Sequence, residues 1–299
     1  MEKVLITGSS GFLGSHTMRL LRASGIEAIG ADRRPSESTN LVCSIGDEAA
    51  MTSGLKSGGI GTVLHLAASV DAEESVRQPV EYIRNNTLNT AHLLNAMRKA
   101  GSGNFVFVSS AAVYGEPKHL PIDETHETNP TNPYGLSKLL AEEVVQGYNE
   151  SYGIKYAILR PTNLYGTGQN SSHAGVIAKF IEAAIRGTPP VLQGDGKQTR
   201  DFLHVSDMAE ALKAVASKGV RNDTYNVSAN RPVDLSELLA IIEKISGTKL
   251  NAVHEQGRKG DIGKSEVSSD KLRAEYGWKP KKTLEEGLAD LLSAGRQRG

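Results

Sequence analysis

The stretch Lys3-Val4-Leu5-Ile6-Thr7-Gly8-Ser9-Ser10-Gly11-Phe12-Leu13-Gly14 runs from an apolar segment through spaced glycines into the amphipathic segment Phe12 to Ser24. A strand that turns into a helix in this way leaves backbone N–H groups pointing outward at the helix N-terminus, where a pyrophosphate can be held. The glycine spacing is G-x-x-G-x-x-G. Taken alone, these glycines also suit a tight turn that needs φ > 0. The residues downstream decide between the two.

A second apolar run, Ala28 to Ala31, ends at Asp32. A carboxylate at that point can accept both ribose hydroxyls of an adenosine, and its charge opposes a 2′-phosphate, so NAD is favoured over NADP. Arg33 and Arg34 follow directly and leave NADP open, because a guanidinium can stack on adenine or pair with the extra phosphate. Further apolar runs at Thr62 to Leu66, Asn104 to Val108 and Tyr156 to Arg160 alternate with the amphipathic segments Val80 to Ala100 and Gly135 to Tyr152. Strands alternating with helices imply right-handed crossovers and a doubly wound parallel α/β sheet. After Arg160, prolines and glycines separate shorter elements, which suggests a smaller, irregular second lobe. Phe202 to Val205 and Tyr225 to Val227 are expected to return to the main sheet, so that the lobes interleave.

The 299 residues carry 34 Lys plus Arg against 34 Asp plus Glu, so no net charge draws the chain to nucleic acid or an anionic membrane. With 38% hydrophobic and 23% charged residues, the composition is that of a folded globular protein. The apolar stretch from Ile60 to Val70 is interrupted by His65 and falls short of the roughly 20 residues of a membrane span. The first residues do not read as a signal peptide. Cys43 is the sole cysteine, which excludes an intrachain disulfide and a cysteine-rich metal site and fits a reducing cytoplasm.

Tyr134-Gly135-Leu136-Ser137-Lys138 sets a phenol and an ammonium on one face of an expected helix. A nearby ammonium, together with a positive nicotinamide ring, is expected to favour the phenolate and make Tyr134 a usable base near neutral pH. So short a spacing recurs by chance, and Tyr114 and Lys118 repeat it, but Gly115 and Pro117 place that second pair in a loop. Val106 to Ser110 ends a strand at the same sheet edge and offers hydroxyls to a substrate oxygen; Ser110 equally suits a cap. His65-Leu66-Ala67-Ala68 ends another strand in small residues that let a cofactor approach the backbone, and His65 equally suits a satisfied buried position.

In combination these segments resemble the extended short-chain dehydrogenase/reductases, in their nucleotide-sugar epimerase/dehydratase branch, over essentially the whole chain. The resemblance includes the glycine loop, Asp32, His65 to Ala68, Asn85-Asn86-Thr87, Ser109 to Gly115 and the Tyr134/Lys138 pair. It extends through Arg160-Pro161-Thr162-Asn163-Leu164-Tyr165-Gly166, Gly194 to Phe202 and Arg258-Lys259-Gly260-Asp261. It implies a Rossmann-type fold in which residues 1–161, with 201–228, bind NAD. Residues 162–200 and 229–299 are implied to form the nucleotide-sugar lobe. Tyr134 is then the general base and acid, Lys138 holds the nicotinamide ribose, and Ser110 bonds the sugar hydroxyl.

The cofactor is implied to contact Gly8, Gly11, Phe12, Leu13, Gly14, Asp32, Arg33, Ser44, Ile45, Leu66, Ala67, Ala68, Asn85, Pro161 and Thr162, besides Tyr134 and Lys138. The substrate is implied to contact Asn163, Val176, Arg200, Arg258 and Asp261, besides Ser110 and Tyr134. No metal is implied, and a homodimer is expected through the helices at 87–100 and 136–150. Three positions depart from the family pattern. Ala111 and Ala112 stand where dehydratases carry an Asp-Glu pair and where decarboxylases carry a glutamate at the second position. Ser44 stands where an aspartate often receives the adenine amine. The expected activity is 4-epimerisation of a nucleoside-diphosphate hexose of the UDP-glucose/UDP-galactose type. A 4-ketoreductase consuming NAD(P)H remains as an alternative, and a non-catalytic nucleotide sensor as a more distant one.

Overall fold

The computed structural model describes residues 3–169, 175–256 and 263–297. Seven parallel strands form the central sheet: β1 Lys3–Thr7, β2 Ala28–Asp32, β3 Leu41–Val42, β4 Ile60–His65, β5 Asn104–Val108, β6 Lys155–Pro161 and, after three strands outside it, β10 Asp223–Val227. Their spatial order is β10-β6-β5-β4-β1-β2-β3, so the winding reverses between β1 and β4. That switch point, at the C-terminal edge beside Thr7 and His65, is where doubly wound sheets bind ligands.

Both faces are covered by helices. The helices of the chain are α1 Phe12–Ala23, α2 Glu48–Gly58, α3 Ala72–Arg77, α4 Pro79–Tyr82, α5 Asn89–Ala100, α6 Pro133–Tyr152, α7 Val176–Arg186, α8 Val205–Lys218, α9 Leu235–Ser246, α10 Asp270–Tyr276 and α11 Leu284–Arg296. Alternation along β1 shows how the strand serves two cores. Val4 and Ile6 pack with Met18 of α1 and Met208, Leu212 and Val215 of α8. Leu5 points the other way, to Met51 and Leu55 of α2, Leu94 and Met97 of α5 and Val145 of α6. Each fully buried aliphatic side chain contributes roughly 1.5–3 kcal/mol, which is why an uninterrupted apolar run belongs in a sheet covered on both sides.

The amphipathic segment from Val80 onward is helical but not uniform. Between α4 and α5 lies a π turn, Ile83–Leu88, that inserts Asn85, Asn86 and Thr87 into the helix. Such a bulge shifts the register of side chains and is common at functional sites.

The remaining strands, β7 Asn163–Tyr165, β8 Val191–Gln193, β9 Thr199–His204, β11 Pro232–Asp234 and β12 Val253–Glu255, form two smaller sheets. Tyr225 to Val227 returns to the main sheet as expected, pairing with β6. Phe202 to Val205 does not. Its strand, β9, pairs with β7 and β11 in a separate three-stranded sheet, because the place beside β6 is taken by β10. Phe202 enters the second lobe's core with Ile177, Phe180 and Leu238, whereas Leu203 enters the main core. An apolar pair facing two different cores carries the same pattern as a buried central strand. Within 201–228, it is α8 and β10 that return to the main sheet.

Candidate active site

The turn after β1 closes on itself through backbone. Gly8 lies at φ +71°, its N–H donates to Ala31 O at 2.9 Å, and its carbonyl accepts from Gly11 N–H at 2.9 Å. A Cβ on Gly8 would stand 2.8 Å from Ala67 N, so the small end of β4 and the turn meet without side chains between them. Helix α1 starts at Phe12 with Leu13 and Gly14 in its first turn, no side-chain cap and no acidic residue there. Its outward N–H groups and positive dipole end suit an anion.

At the end of β2, the Asp32 carboxylate accepts Ser10 N–H at 3.0 Å and Arg34 N–H at 2.9 Å, which orients it beside the turn. Arg33 is exposed, and the Arg34 guanidinium lies 3.9 Å from the Asp32 carboxylate. Ser44 Oγ accepts Gly46 N–H at 3.2 Å, with Ile45 half-buried beside it. Leu66, Ala67 and Ala68 continue from β4, half-buried, and Leu66 and Ala67 donate backbone N–H to Thr7 Oγ1 at 3.2 and 3.3 Å.

Asn132 caps α6 by accepting Gly135 N–H at 2.9 Å, with Pro133 in the first turn. Tyr134 and Lys138 are thereby placed one above the other on a single helical face, as expected. Gly135, a poor helix former, has a packing reason: a Cβ there would lie 2.6 Å from Ala112 O. It lets α6 approach the turn that carries Ser110. The Ser110 hydroxyl both caps that turn, accepting Ala112 N–H at 3.1 Å, and hydrogen-bonds Tyr134.

Burial pushes the Tyr134 phenol above its ordinary pKa, and the Ser110 hydrogen bond offsets part of that rise. Lys138 is buried, donates to Val108 O at 2.9 Å and stands over the Phe107 ring at 4.9 Å. Burial brings its own pKa down to about 7, while Glu142 acts in the opposite sense. Tyr114 and Lys118 do not repeat this geometry: Tyr114 ends a short 3₁₀ turn, buried against Arg160 and Asn226.

His65 resolves to the structural role. Thr7 Oγ1 lies 2.7 Å from Nδ1 and Thr90 Oγ1 lies 2.9 Å from Nε2. Because Thr90 donates its proton to Asn86 O, Nε2 carries the ring proton and Nδ1 accepts from Thr7. Burial and the Lys138 charge hold His65 neutral, with its pKa lowered to about 3. Asn85, expected at the cofactor, donates to Ser69 Oγ at 3.2 Å. Its neighbour Asn86 does the joining: buried, it accepts Ser69 N–H at 2.8 Å and donates to Ser69 O and Ser137 Oγ, both at 2.9 Å. The only signal for it in the sequence was an Asn pair beside an amphipathic run.

On the second-lobe side, Pro161 closes β6 and the Thr162 hydroxyl donates to buried Asp201 at 2.7 Å. Asp201 also accepts N–H from Ala229 and Arg231, and burial raises its pKa. Asn163 is exposed and donates to Asp201 O at 3.2 Å; Arg200 is half-buried and donates to Thr199 O at 2.8 Å. Val176 opens α7 against the second-lobe core. Arg258 and Asp261 lie outside the described residues. Sequence reasoning missed Glu142 and named Arg160 only as the start of the stretch to Gly166; the two form a buried ion pair behind the cluster. A carboxylate one turn beyond Lys138, between Ala141 and Val145, was the available sign. Among the described residues no group of three or more His, Cys, Asp or Glu could hold a metal ion, and no helix is long and apolar enough to cross a membrane.

Residues 4–228 match the model of the NAD-dependent epimerase/dehydratase family. A UDP-glucose 4-epimerase of Azospirillum brasilense is 33% identical, over 96% of this chain and 89% of that one. The structure of a Thermotoga maritima UDP-glucose 4-epimerase with UDP-glucose is similar at a TM-score of 0.94 and 32% identity, covering 99% of each chain. A Thermus thermophilus UDP-glucose 4-epimerase in complex with NAD is similar at a TM-score of 0.89 and 31% identity, again with 99% of each chain covered.

Proposed function

The chain belongs to the NAD-dependent epimerase/dehydratase family, and from that premise we propose that it catalyses NAD-dependent 4-epimerisation of a nucleoside-diphosphate sugar of the UDP-glucose/UDP-galactose type. The observation that carries the reading is the cluster of Ser110, Tyr134 and Lys138 at the C-terminal sheet edge, with Ala111 and Ala112 as its uncharged neighbours. Dehydration and decarboxylation need a carboxyl group where those alanines stand.

The donor set fits a dinucleotide. The Gly8 turn would be filled by any Cβ, α1 presents uncapped N–H groups, and Asp32 is oriented for ribose hydroxyls. When bound, NAD supplies a reversible hydride acceptor for sugar C4. Ser110 holds the C4 hydroxyl, and Tyr134 takes its proton and later returns it to the C4 oxygen, after the 4-keto sugar has turned over in its site to present the opposite face of C4. Ser110 donates a hydrogen bond that favours the phenolate, against the burial that disfavours it. Lys138, fixed by Val108 O, presents its ammonium at the base of the cluster to the nicotinamide ribose.

Asn163, Arg200, Arg258 and Asp261 are assigned to the nucleotide end of the substrate, and Val176 to the substrate, in the lobe made of 162–200 and 229–299. The enzyme is further read as a cytoplasmic homodimer. Support for the dimer is an apolar face exposed on packed helices: Val76 on α3, Val80 on α4, Leu88 on the π turn and Leu136 and Leu140 on α6. The single cysteine, Cys43, agrees with a reducing compartment. Incubation with UDP-, dTDP- and GDP-sugars and chromatographic separation of the products tests the activity. A new C4 epimer without added reduced cofactor is the expected result; net reduction dependent on NAD(P)H would instead select the ketoreductase.

A further inference from the structure

Directly behind the cluster the protein buries an ion pair. Arg160 of β6 donates from Nη2 to Glu142 Oε2 at 2.6 Å and from Nε to Glu142 Oε1 at 3.0 Å, with the two side chains 8% and 2% exposed. Ser109, the residue before Ser110, donates its hydroxyl to the same Oε1. The third guanidinium nitrogen donates to Tyr114 OH at 2.9 Å, and Tyr114 donates to Asn226 Oδ1 at 2.7 Å. Both oxygens of the Glu142 carboxylate are thus satisfied by named donors. Its position, one helical turn beyond Lys138 on α6, sets it on the same helical face as the ammonium. A buried ion pair is weak evidence for stability, since apolar residues of the same volume often serve as well. What calls for an account is its place between two groups of the site.

We propose that Glu142 is a positioning residue for the epimerisation proposed above, and the inference rests on that reading. Its carboxylate fixes the strand end carrying Ser110 through Ser109, and it supplies the negative charge that keeps Lys138 an ammonium. The other groups around Lys138 cannot do the second task. His65 on β4 is held neutral by Thr7 and Thr90, and Tyr134 on α6 is a neutral phenol. Arg160 on β6 is cationic and engaged by Glu142, while β5 offers the Val108 carbonyl and the Phe107 ring. Burial alone draws the Lys138 pKa down, and Glu142 opposes it. Arg160 holds the carboxylate in place through two hydrogen bonds.

The two tasks separate experimentally. Glu142→Gln keeps the shape and removes the charge. In protein labelled with ε-13C-lysine, the Lys138 resonance, assigned by its loss in Lys138→Arg, is expected to titrate roughly one pH unit or more lower than in the wild type. The alkaline limb of kcat for nucleotide-sugar epimerisation is expected to move the same way, because the ammonium is lost as pH rises through its pKa. KM is expected to change by less than about threefold, as Glu142 touches no substrate. Ser109→Ala is expected to lower kcat and leave the limb where it is. Should the single variant leave Arg160 unpaired and the chain unfolded, Glu142→Gln/Arg160→Gln carries the same test, its two amides able to bond each other. An unmoved Lys138 titration and limb in an epimerising enzyme overturn the proposal. Absence of epimerisation by the wild type instead refutes the proposed activity, while the lysine titration still decides whether Glu142 sets the state of Lys138.

Discussion

Replacing Gly14 by alanine opposes two effects of known sign. Gly14 is the third residue of α1, and alanine is favoured over glycine within a helix by about 1 kcal/mol. A Cβ at Gly14, however, would stand 2.0 Å from Gly8 O, about 1.4 Å inside ordinary contact at 3.4 Å, and 2.8 Å from both Gly8 C and Ser9 Cα. All three atoms are backbone, so no side chain can swing aside; the glycine turn must move away from the helix. Overpacking of this kind costs about 1–3 kcal/mol or more, so clash outweighs propensity. A backbone overlap this deep belongs at the upper end, so the expected net loss is about 2 kcal/mol, a fall in Tm of a few degrees for a chain of this size. The N–H groups meant for the pyrophosphate move with the turn, so the NAD extracted per protein after purification should fall well below the wild-type ratio. Gly147→Ala, within α6 where a Cβ meets nothing within 4 Å, supplies the control: Tm should rise by about 2 °C with NAD unchanged. Thermal unfolding by circular dichroism and chromatography of the acid extract read both quantities. If Gly14→Ala raises Tm as Gly147→Ala does and keeps its NAD, the close packing of turn and helix is not what the structure says.

Tyr134→Phe should lower kcat by roughly 10²–10⁴-fold while leaving Tm and bound NAD nearly unchanged, and activity within threefold of wild type would remove Tyr134 from the proton transfer. His65 is neutral in the fold with a pKa of about 3, against 6.5 for the free side chain, so the unfolded chain binds the extra proton between those values. Stability should therefore fall as pH drops from about 6.5 toward about 3, by up to about 1.4 kcal/mol per unit, and denaturant titrations should show a shallower slope in His65→Gln. Leu140→Arg, on the exposed face of α6, should convert the species seen by light scattering from two chains to one; an unchanged mass would refute that face as the contact.

The parts of this molecule legible in the sequence are those set by neighbours along the chain. The Gly8 to Gly14 spacing and the Tyr134/Lys138 interval are each local. Contacts across the fold left weaker traces. A π turn at Ile83–Leu88 adds no unusual residue, yet it turns Asn86 inward to Ser69 and Ser137. The apolar pair Phe202 and Leu203 reads as a central strand because either core would produce it. Tyr134 shows a related limit: adjacency of an ammonium was readable, but the depth of burial and the Val108 carbonyl that engages Lys138 were not. Glu142 and Arg160 meet only because α6 packs on β6, 18 positions apart in the chain.

In the proposed reaction a hydride is taken from and returned to the same sugar carbon. UDP-glucose carrying deuterium at C4, incubated with protein as purified and no added cofactor, should give UDP-galactose with the deuterium retained at C4, as mass spectrometry and NMR would show. UDP-galactose that has lost the label, or no epimer from this or any other nucleotide sugar, would contradict the account.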